Sequence, residues 1–202
     1  MKTLFALLIP LLTFHLTLSG QNNCFEHCWE NLESASKEPV SEEFKFPYQK
    51  VLTYLEGCQM PPFEYKTLNG NYLVPESLRG RVVVMNFWFE SCTPCRNEMP
   101  GLNKLASYFK GKDVIFVAFG RDSARSIREF LRSHEFNFLH VPDSFNTGAL
   151  DCFCVMGGFP TTMIFDKKGK LINSIRGGSV DPAKQYEIFD KLQPIIEKAL
   201  MN

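Results

Sequence analysis

Val82-Val83-Val84-Met85-Asn86-Phe87-Trp88-Phe89-Glu90-Ser91-Cys92-Thr93-Pro94-Cys95 is the stretch on which the fold turns. Val82 to Phe89 is a nearly unbroken apolar run of strand length. Such a run suits a strand buried on both faces, as in parallel sheets. Two cysteines three apart follow directly, where a helix from Thr93 to about Phe109 begins. The first cysteine then caps the helix, where backbone N–H groups lack partners and carry partial positive charge. A thiolate there is stabilised, its pKa falls, and it becomes the attacking sulfur. Positions i and i+3 are neighbours on a helix, close to the approach a disulfide requires. The second cysteine, one turn inside and more shielded, is placed to resolve a mixed disulfide.

Upstream, Phe63 to Leu68 alternates loosely like a strand, Asn69-Gly70 is a hairpin signal, and Asn71 to Val74 returns. Pro75 to Gly80 fits one short helical turn closed by glycine. Downstream, the helix from Thr93 bends at Pro100, where a backbone hydrogen bond is lost. Val114 to Phe119 reads as a second buried strand, Ser123 to His134 as a helix, and Phe136 to Val141 as a short strand. Asn146 to about Cys154 reads as a short helix. Thr161–Phe165 and Lys170–Ile175 form a hairpin around Asp166-Lys167-Lys168-Gly169. Asp181-Pro182 opens a last helix, as an N-cap followed by proline, running to about Leu200 with a kink at Pro194. Buried strands alternating with helices predict a layered α/β domain, a central mixed sheet flanked by helices.

The 202 residues suffice for one such domain plus accessories. Lys and Arg number 22 and so do Asp and Glu, so the formal net charge is zero. Nucleic acid is thereby disfavoured as a partner, since binding phosphates needs a basic excess. Met1-Lys2, an apolar run from Leu4 to Leu18 and the small residues Ser19-Gly20 read as a signal peptide over residues 1–20. The run is short of a bilayer span and interrupted by polar residues. Residues 21–57 are predicted to form a helical N-terminal extension, with the main domain over 58–202. Seven cysteines remain beyond the signal: 24, 28, 58, 92, 95, 152 and 154. An exported chain can keep disulfides, and an odd count leaves at least one thiol free or paired between chains. Cys58 is a candidate for the odd thiol. Cys24, Cys28, Cys152 and Cys154 read as bridges tying the extension to the core, with Cys24–Cys28 as a local option. A second redox pair feeding Cys92 and Cys95 is the sharper alternative.

The order of strand, C-x-x-C, kinked helix, strand, helix, strand, helix, proline loop, hairpin and helix resembles the thioredoxin superfamily. It is most similar to the TlpA/ResA-like extracytoplasmic thiol-disulfide oxidoreductases. The matching motifs are Asn86-Phe87-Trp88, Cys92-Thr93-Pro94-Cys95-Arg96, Glu98-Met99-Pro100 and Gly158-Phe159-Pro160-Thr161-Thr162, with Met60-Pro61-Pro62-Phe63-Glu64 as the entry strand. Two features depart from the pattern: Ser91 stands where a tryptophan is usual, and Cys152 and Cys154 precede the proline loop.

The resemblance implies a thioredoxin-like fold and four site residues. Cys92 attacks a substrate disulfide and Cys95 displaces the product. Pro160 is implied to follow a cis bond that turns the Phe159 backbone toward the dithiol. Glu98 is implied to lie near the thiols and tune them, since a carboxylate there would raise their pKa values. Asn86 stands where thioredoxin has a buried acid, and its amide cannot carry protons, which leaves Glu98 or water to do so. Glu90 reads as surface charge. His27, His134 and His140 lack the spacing of a metal site or triad, and no cofactor is expected.

The expected activity is exported thiol-disulfide exchange, in the reducing direction, in the periplasm or outside the cell. Its partners are disulfide-containing or dithiol proteins and an upstream thiol donor, with a membrane-associated redox protein as one candidate. Two other readings stay open. A thiol peroxidase would fit the entry strand, although Phe89-Glu90-Ser91 before Cys92 lacks the proline of a peroxidatic setting. A copper-delivery module would suit soft thiolates, although its cysteines are usually one residue further apart.

Overall fold

The computed structural model describes Phe25, Cys28, Glu33, residues 54–155 and residues 158–202. The signal-peptide expectation and nearly all of the helical extension lie outside the described residues. A two-stranded antiparallel ribbon, β1 (Tyr65–Lys66) and β2 (Tyr72–Leu73), turns at Asn69-Gly70 as the sequence predicts. A 3-10 turn over Pro75–Leu78 leads into β3 (Val82–Trp88), every residue of which is buried. Helix α1 (Thr93–Tyr108) follows, then β4 (Val114–Gly120), α2 (Ala124–Phe130), β5 (Leu139–Val141) and the short α3 (Ala149–Cys152). Strands β6 (Thr161–Phe165) and β7 (Leu171–Arg176) form the hairpin, and after a 3-10 turn at Pro182–Lys184 comes α4 (Glu187–Met201).

The main sheet runs β5-β4-β3-β6-β7. β4 and β5 lie parallel to β3 on one side, and β6 and β7 continue antiparallel on the other. It is the mixed sheet flanked by helices that the sequence predicts. Side chains of a strand alternate between faces, and β3 divides accordingly. Val83, Met85 and Phe87 enter one layer with Tyr65, Phe119, Phe153 and Phe165. Val82, Val84 and Trp88 enter the other with Leu102, Leu105, Leu192 and Ile196. Asn86 holds the same parity as this second set, which places a polar group under α1. α1 and α4 approach closely at Gly101, where a Cβ would stand 2.6 Å from Gln185 O and 2.8 Å from Ile188 Cγ2.

Several element boundaries differ from expectation; α3, for one, starts at Ala149 rather than Asn146. β5 starts at Leu139 because the alternating Phe136 and Phe138 spend their rings on packing instead. Phe136 meets Trp88 at 5.5 Å and Phe138 meets Phe116 at 5.1 Å. α2 ends at Phe130, short of His134. Asp181 does cap the following turn, its carboxylate accepting from Ala183 N–H at 3.0 Å, but that turn is 3-10 and α4 starts only at Glu187.

Cys28 bridges Cys154 across 126 residues of sequence, with a Cα separation of 5.9 Å. This ties the N-terminal segment to the core, as expected for a structural cross-link, and displaces the local Cys24–Cys28 option. Phe25 sets the register of the docking, its ring 6.2 Å from Phe153 and 6.5 Å from Phe165. Cys58 is disulfide-bonded. The free thiol among the described residues is Cys152, a correction to the sequence reading. Two residues from the bridged Cys154, Cys152 ends α3 on the other side of the turn and faces Tyr65.

Candidate active site

Cys92 is the N-cap of α1, with extended φ −77° and ψ 101°. The Cys95 backbone N–H donates to its sulfur at 3.2 Å. An N–H aimed at sulfur favours negative charge there, as does the positive end of the helix. The two sulfurs are joined in a disulfide, with a Cα separation of 5.3 Å. Both residues are nearly inaccessible, 4% and 1% exposed. Exposure therefore hardly separates them; what distinguishes Cys92 is its place at the cap.

Glu98 lies one turn along α1 from Cys95 and is buried, 6% exposed. The Asn86 side-chain amide donates to its Oε1 at 3.0 Å and to Thr162 Oγ1 at 2.9 Å. Both hydrogens of that amide are thus engaged in the interior, which fixes Glu98 against β3 and β6. Burial pushes the Glu98 carboxyl up to about 8, while the Asn86 hydrogen bond and the field of Lys191 pull it back. Glu98 is therefore mostly protonated at neutral pH. A neutral acid there would not raise the neighbouring thiols as a carboxylate would.

The Phe159–Pro160 bond is cis, as the resemblance implies. Phe159 meets Phe89 edge-on at 5.2 Å, so the proline loop touches the chain just ahead of Cys92. Arg121 covers the Phe89 ring at 4.8 Å. The loops converge at Gly178. A Cβ there would stand 3.1 Å from Pro160 Cγ, 3.2 Å from Glu98 Oε2 and 3.4 Å from Pro94 O. Glu90 is half-buried rather than plain surface charge. Its N–H donates to Asp122 Oδ2 and its Oε1 accepts from Ser126 Oγ, each at 2.7 Å, tying the approach to Cys92 to the start of α2.

The structure thus gathers Cys92, Cys95, Glu98 and Pro160 in one place. Sequence reasoning gave Thr162 no role beyond its place in the proline-loop motif and passed over Gly178. Thr162 could have been found from its parity, since it pairs with Asn86 across β3 and β6. The double glycine Gly177-Gly178 was the signal for the second. The free Cys152 is half-buried beside Tyr65; burial raises its thiol pKa and a hydrogen bond with Tyr65 lowers it in part. Among the described residues, no group of three or more His, Cys, Asp or Glu side chains could hold a metal ion.

Residues 57–174 match the AhpC/TSA family. The thioredoxin-like protein YneN of Bacillus subtilis is 33% identical over 145 residues, covering 70% of this chain and 83% of its own. The thiol-disulfide oxidoreductase ResA of Bacillus cereus is 31% identical over 122 residues, covering 60% of this chain and 69% of its own. Among solved structures, a thiol:disulfide interchange protein DsbE of Chlorobium tepidum superposes with TM-score 0.60 at 26% identity, over 72% of this chain and 97% of that one.

Proposed function

The chain belongs to the AhpC/TSA family and is a thioredoxin-like thiol-disulfide oxidoreductase, and from that premise we propose that Cys92 and Cys95 are its redox pair, acting as an exported reductase of protein disulfides. The observation that carries this reading is the closed Cys92–Cys95 bridge at the start of α1, with the Cys95 N–H aimed at Cys92 Sγ.

In the reduced enzyme the Cys92 thiolate attacks one sulfur of a substrate disulfide. The substrate bond breaks, the attacked sulfur forms a disulfide with Cys92, and the other substrate sulfur leaves as a thiolate that takes a proton from water. Cys95 gives up its proton and attacks Cys92 Sγ. The second substrate thiol departs, and two electrons have passed to the substrate. An upstream dithiol reverses these steps on the enzyme. Its thiolate attacks Cys92 Sγ, the Cys92–Cys95 bond breaks, and the electron pair goes to Cys95 Sγ. Glu98 is the group we assign to supply that sulfur with a proton. A carboxyl near 8 and a thiol ordinarily near 8.5 exchange a proton at little cost. Pro160 and Phe159 form the wall against which the substrate lies, opposite Phe89.

Export is supported by two features. The apolar run Leu4–Leu18 reads as a signal, and structural disulfides such as Cys28–Cys154 persist in oxidising compartments. The substrates are disulfide-containing proteins, the donor is a thiol protein, and the site is the periplasm or the exterior.

The test is insulin disulfide reduction by the full chain. Cys92→Ser abolishes it, and Cys95→Ser accumulates mixed disulfides detectable by mass. Full activity in either variant would overturn the assignment. A redox titration fixes the direction: a potential near about −270 mV supports a reductase, and one near about −120 mV an oxidant.

A further inference from the structure

A cleft of about 360 Å³ opens between α1, the loop after β7 and the start of α4, and Glu98 is part of its lining. The two carboxyl oxygens of Glu98 have different surroundings. Oε1 is held inward by Asn86. Oε2 lies where Gly178 has no side chain; a Cβ there would come within 3.2 Å. Gly178 is not among the residues of positive φ, so what glycine provides here is space. At the cleft's mouth Glu187 holds two lysines, Oε1 to Lys184 Nζ at 3.6 Å and Oε2 to Lys191 Nζ at 3.7 Å. Arg176 adds a third cation to the lining. The surroundings of Glu98 are therefore neutral on the sheet side, from Asn86 and Thr162, bridged on its own helix at Cys95, and cationic on the cleft side.

We infer that this cleft is the path by which the Glu98 carboxyl exchanges its proton with solvent, and that Lys191 is a positioning residue whose charge eases formation of the Glu98 carboxylate. The inference rests on the reading of Glu98 as the proton carrier for Cys95. When Cys95 is protonated, Glu98 is left as carboxylate, and a proton from cleft water restores the acid. When Cys95 is deprotonated, Glu98 first releases its own proton to the same water and, as the carboxylate, takes the one from Cys95. In both steps the charge on Glu98 changes while Oε1 stays bound to Asn86, so the oxygen that changes partners is the one facing Gly178. Lys191 lines the same cleft as Glu98, and its field acts on Glu98 in the stabilising direction. Because its side chain is 57% exposed, salt weakens the effect: the screening length falls from about 10 Å at 0.1 M to about 3 Å at 1 M.

The test uses the oxidised full chain with ¹³C-labelled glutamate, the Glu98 carboxyl signal being the one that Glu98→Gln removes. Lys191→Met moves the Glu98 midpoint upward from about 8, and Lys191→Arg restores it. Raising salt moves the wild-type midpoint upward and leaves Lys191→Met nearly unchanged. Gly178→Ala, which closes water off from Oε2, also moves the midpoint upward. A midpoint unmoved in both Lys191→Met and Gly178→Ala, alongside a pH profile of exchange that Glu98→Gln still abolishes, overturns the cleft assignment and leaves Glu98 as the carrier. A pH profile untouched by Glu98→Gln overturns the carrier itself, and the inference falls with it.

Discussion

The Asn86 amide donates to the Glu98 carboxyl at 3.0 Å, joining the central strand to the helix that carries the dithiol. Its second hydrogen goes to Thr162 Oγ1, so one side chain pins β3, β6 and α1 together in a largely apolar layer. A buried polar group is tolerable when its partners are supplied, and a carboxyl in such a place keeps its proton to higher pH because water is not there to stabilise its charge.

Stability should therefore depend on pH through Glu98. The folded chain holds this proton up to about 8, whereas the ordinary value, 4.5, serves for the unfolded chain. Between those values the unfolded state binds fewer protons than the folded one, so the slope of unfolding free energy with pH is negative. The Glu98 contribution is intact below about 4.5, declines as pH rises to about 8, and is flat above. Glu98→Gln removes the decline, because an amide has nothing to ionise. The gap between variant and wild type should open across this window to the order of a few kcal/mol. Urea unfolding of both proteins in the oxidised state, repeated from pH 4 to 9, measures it; parallel curves would show that Glu98 ionises normally.

Thr162 offers a test of the same network without a charge. Thr162→Val keeps the shape but leaves one Asn86 hydrogen without its acceptor. An orphaned buried donor costs about 1–3 kcal/mol, so the variant should lose about that much by chemical denaturation. A loss under about 0.5 kcal/mol would mean that the amide finds another acceptor.

How far the sequence reveals this site depends on how local each part is. Cys92 and Cys95 were legible because strand, cap and helix are consecutive, and the chemistry follows from their adjacency. The β1–β2 hairpin was legible for the same reason, since Asn69-Gly70 encodes its own turn. The burial of Glu98 was not, because it depends on Thr162, 76 residues from Asn86, and on a glycine further on. The cysteine pairing was illegible on similar grounds. Cys152 and Cys154 are chemically equivalent in sequence, and what selects Cys154 is the packing of Phe25 on Phe153 and Phe165. Phe136 and Phe138 misled because alternation also arises when two rings fill a gap beside a sheet.

The thiol inventory can be counted directly. Alkylation of the denatured, unreduced chain followed by peptide mass mapping should label Cys152 and leave Cys28, Cys58, Cys92, Cys95 and Cys154 unlabelled. In the native chain at neutral pH the labelling of Cys152 should be slow, since burial raises its thiol pKa and the thiolate is the reactive form. Rapid native labelling would contradict its placement against Tyr65.

The Cys28–Cys154 bridge closes a loop of more than a hundred residues. Chain-entropy reasoning assigns such a closure about 4–5 kcal/mol, and measured losses on removing native bridges run about 2–5 kcal/mol. Cys28→Ala with Cys154→Ala should lower stability within that range. Because the bridge lies in the layer on the far side of β3 from Cys92 and Cys95, the folded fraction of the double variant should still reduce insulin. Loss of exchange at a temperature where the variant remains folded by circular dichroism would instead join the bridge to the redox chemistry, the relay that the sequence left open.

Re-reduction of the enzyme is where the Glu98 proton should register in a rate. As an external dithiol attacks Cys92, charge builds on Cys95 Sγ, and a neutral Glu98 can neutralise it by giving up its proton. At pH 7 that acid is mostly present, because its pKa lies near 8, and above pH 8 it is progressively lost. The rate constant for reduction, expressed per donor thiolate, should then be level to about pH 7.5 and fall tenfold per unit well above 8, the slope of a single required proton. Glu98→Gln lacks that proton at every pH, so its rate should be lower at pH 7, by about 10²-fold if the transfer contributes as general acids ordinarily do, and should show no break near 8. Stopped-flow reduction by dithiothreitol, corrected for the donor's own ionisation, separates the cases. A wild-type profile as flat as that of Glu98→Gln, at the same rate, would mean that solvent protonates Cys95 without help from the carboxyl.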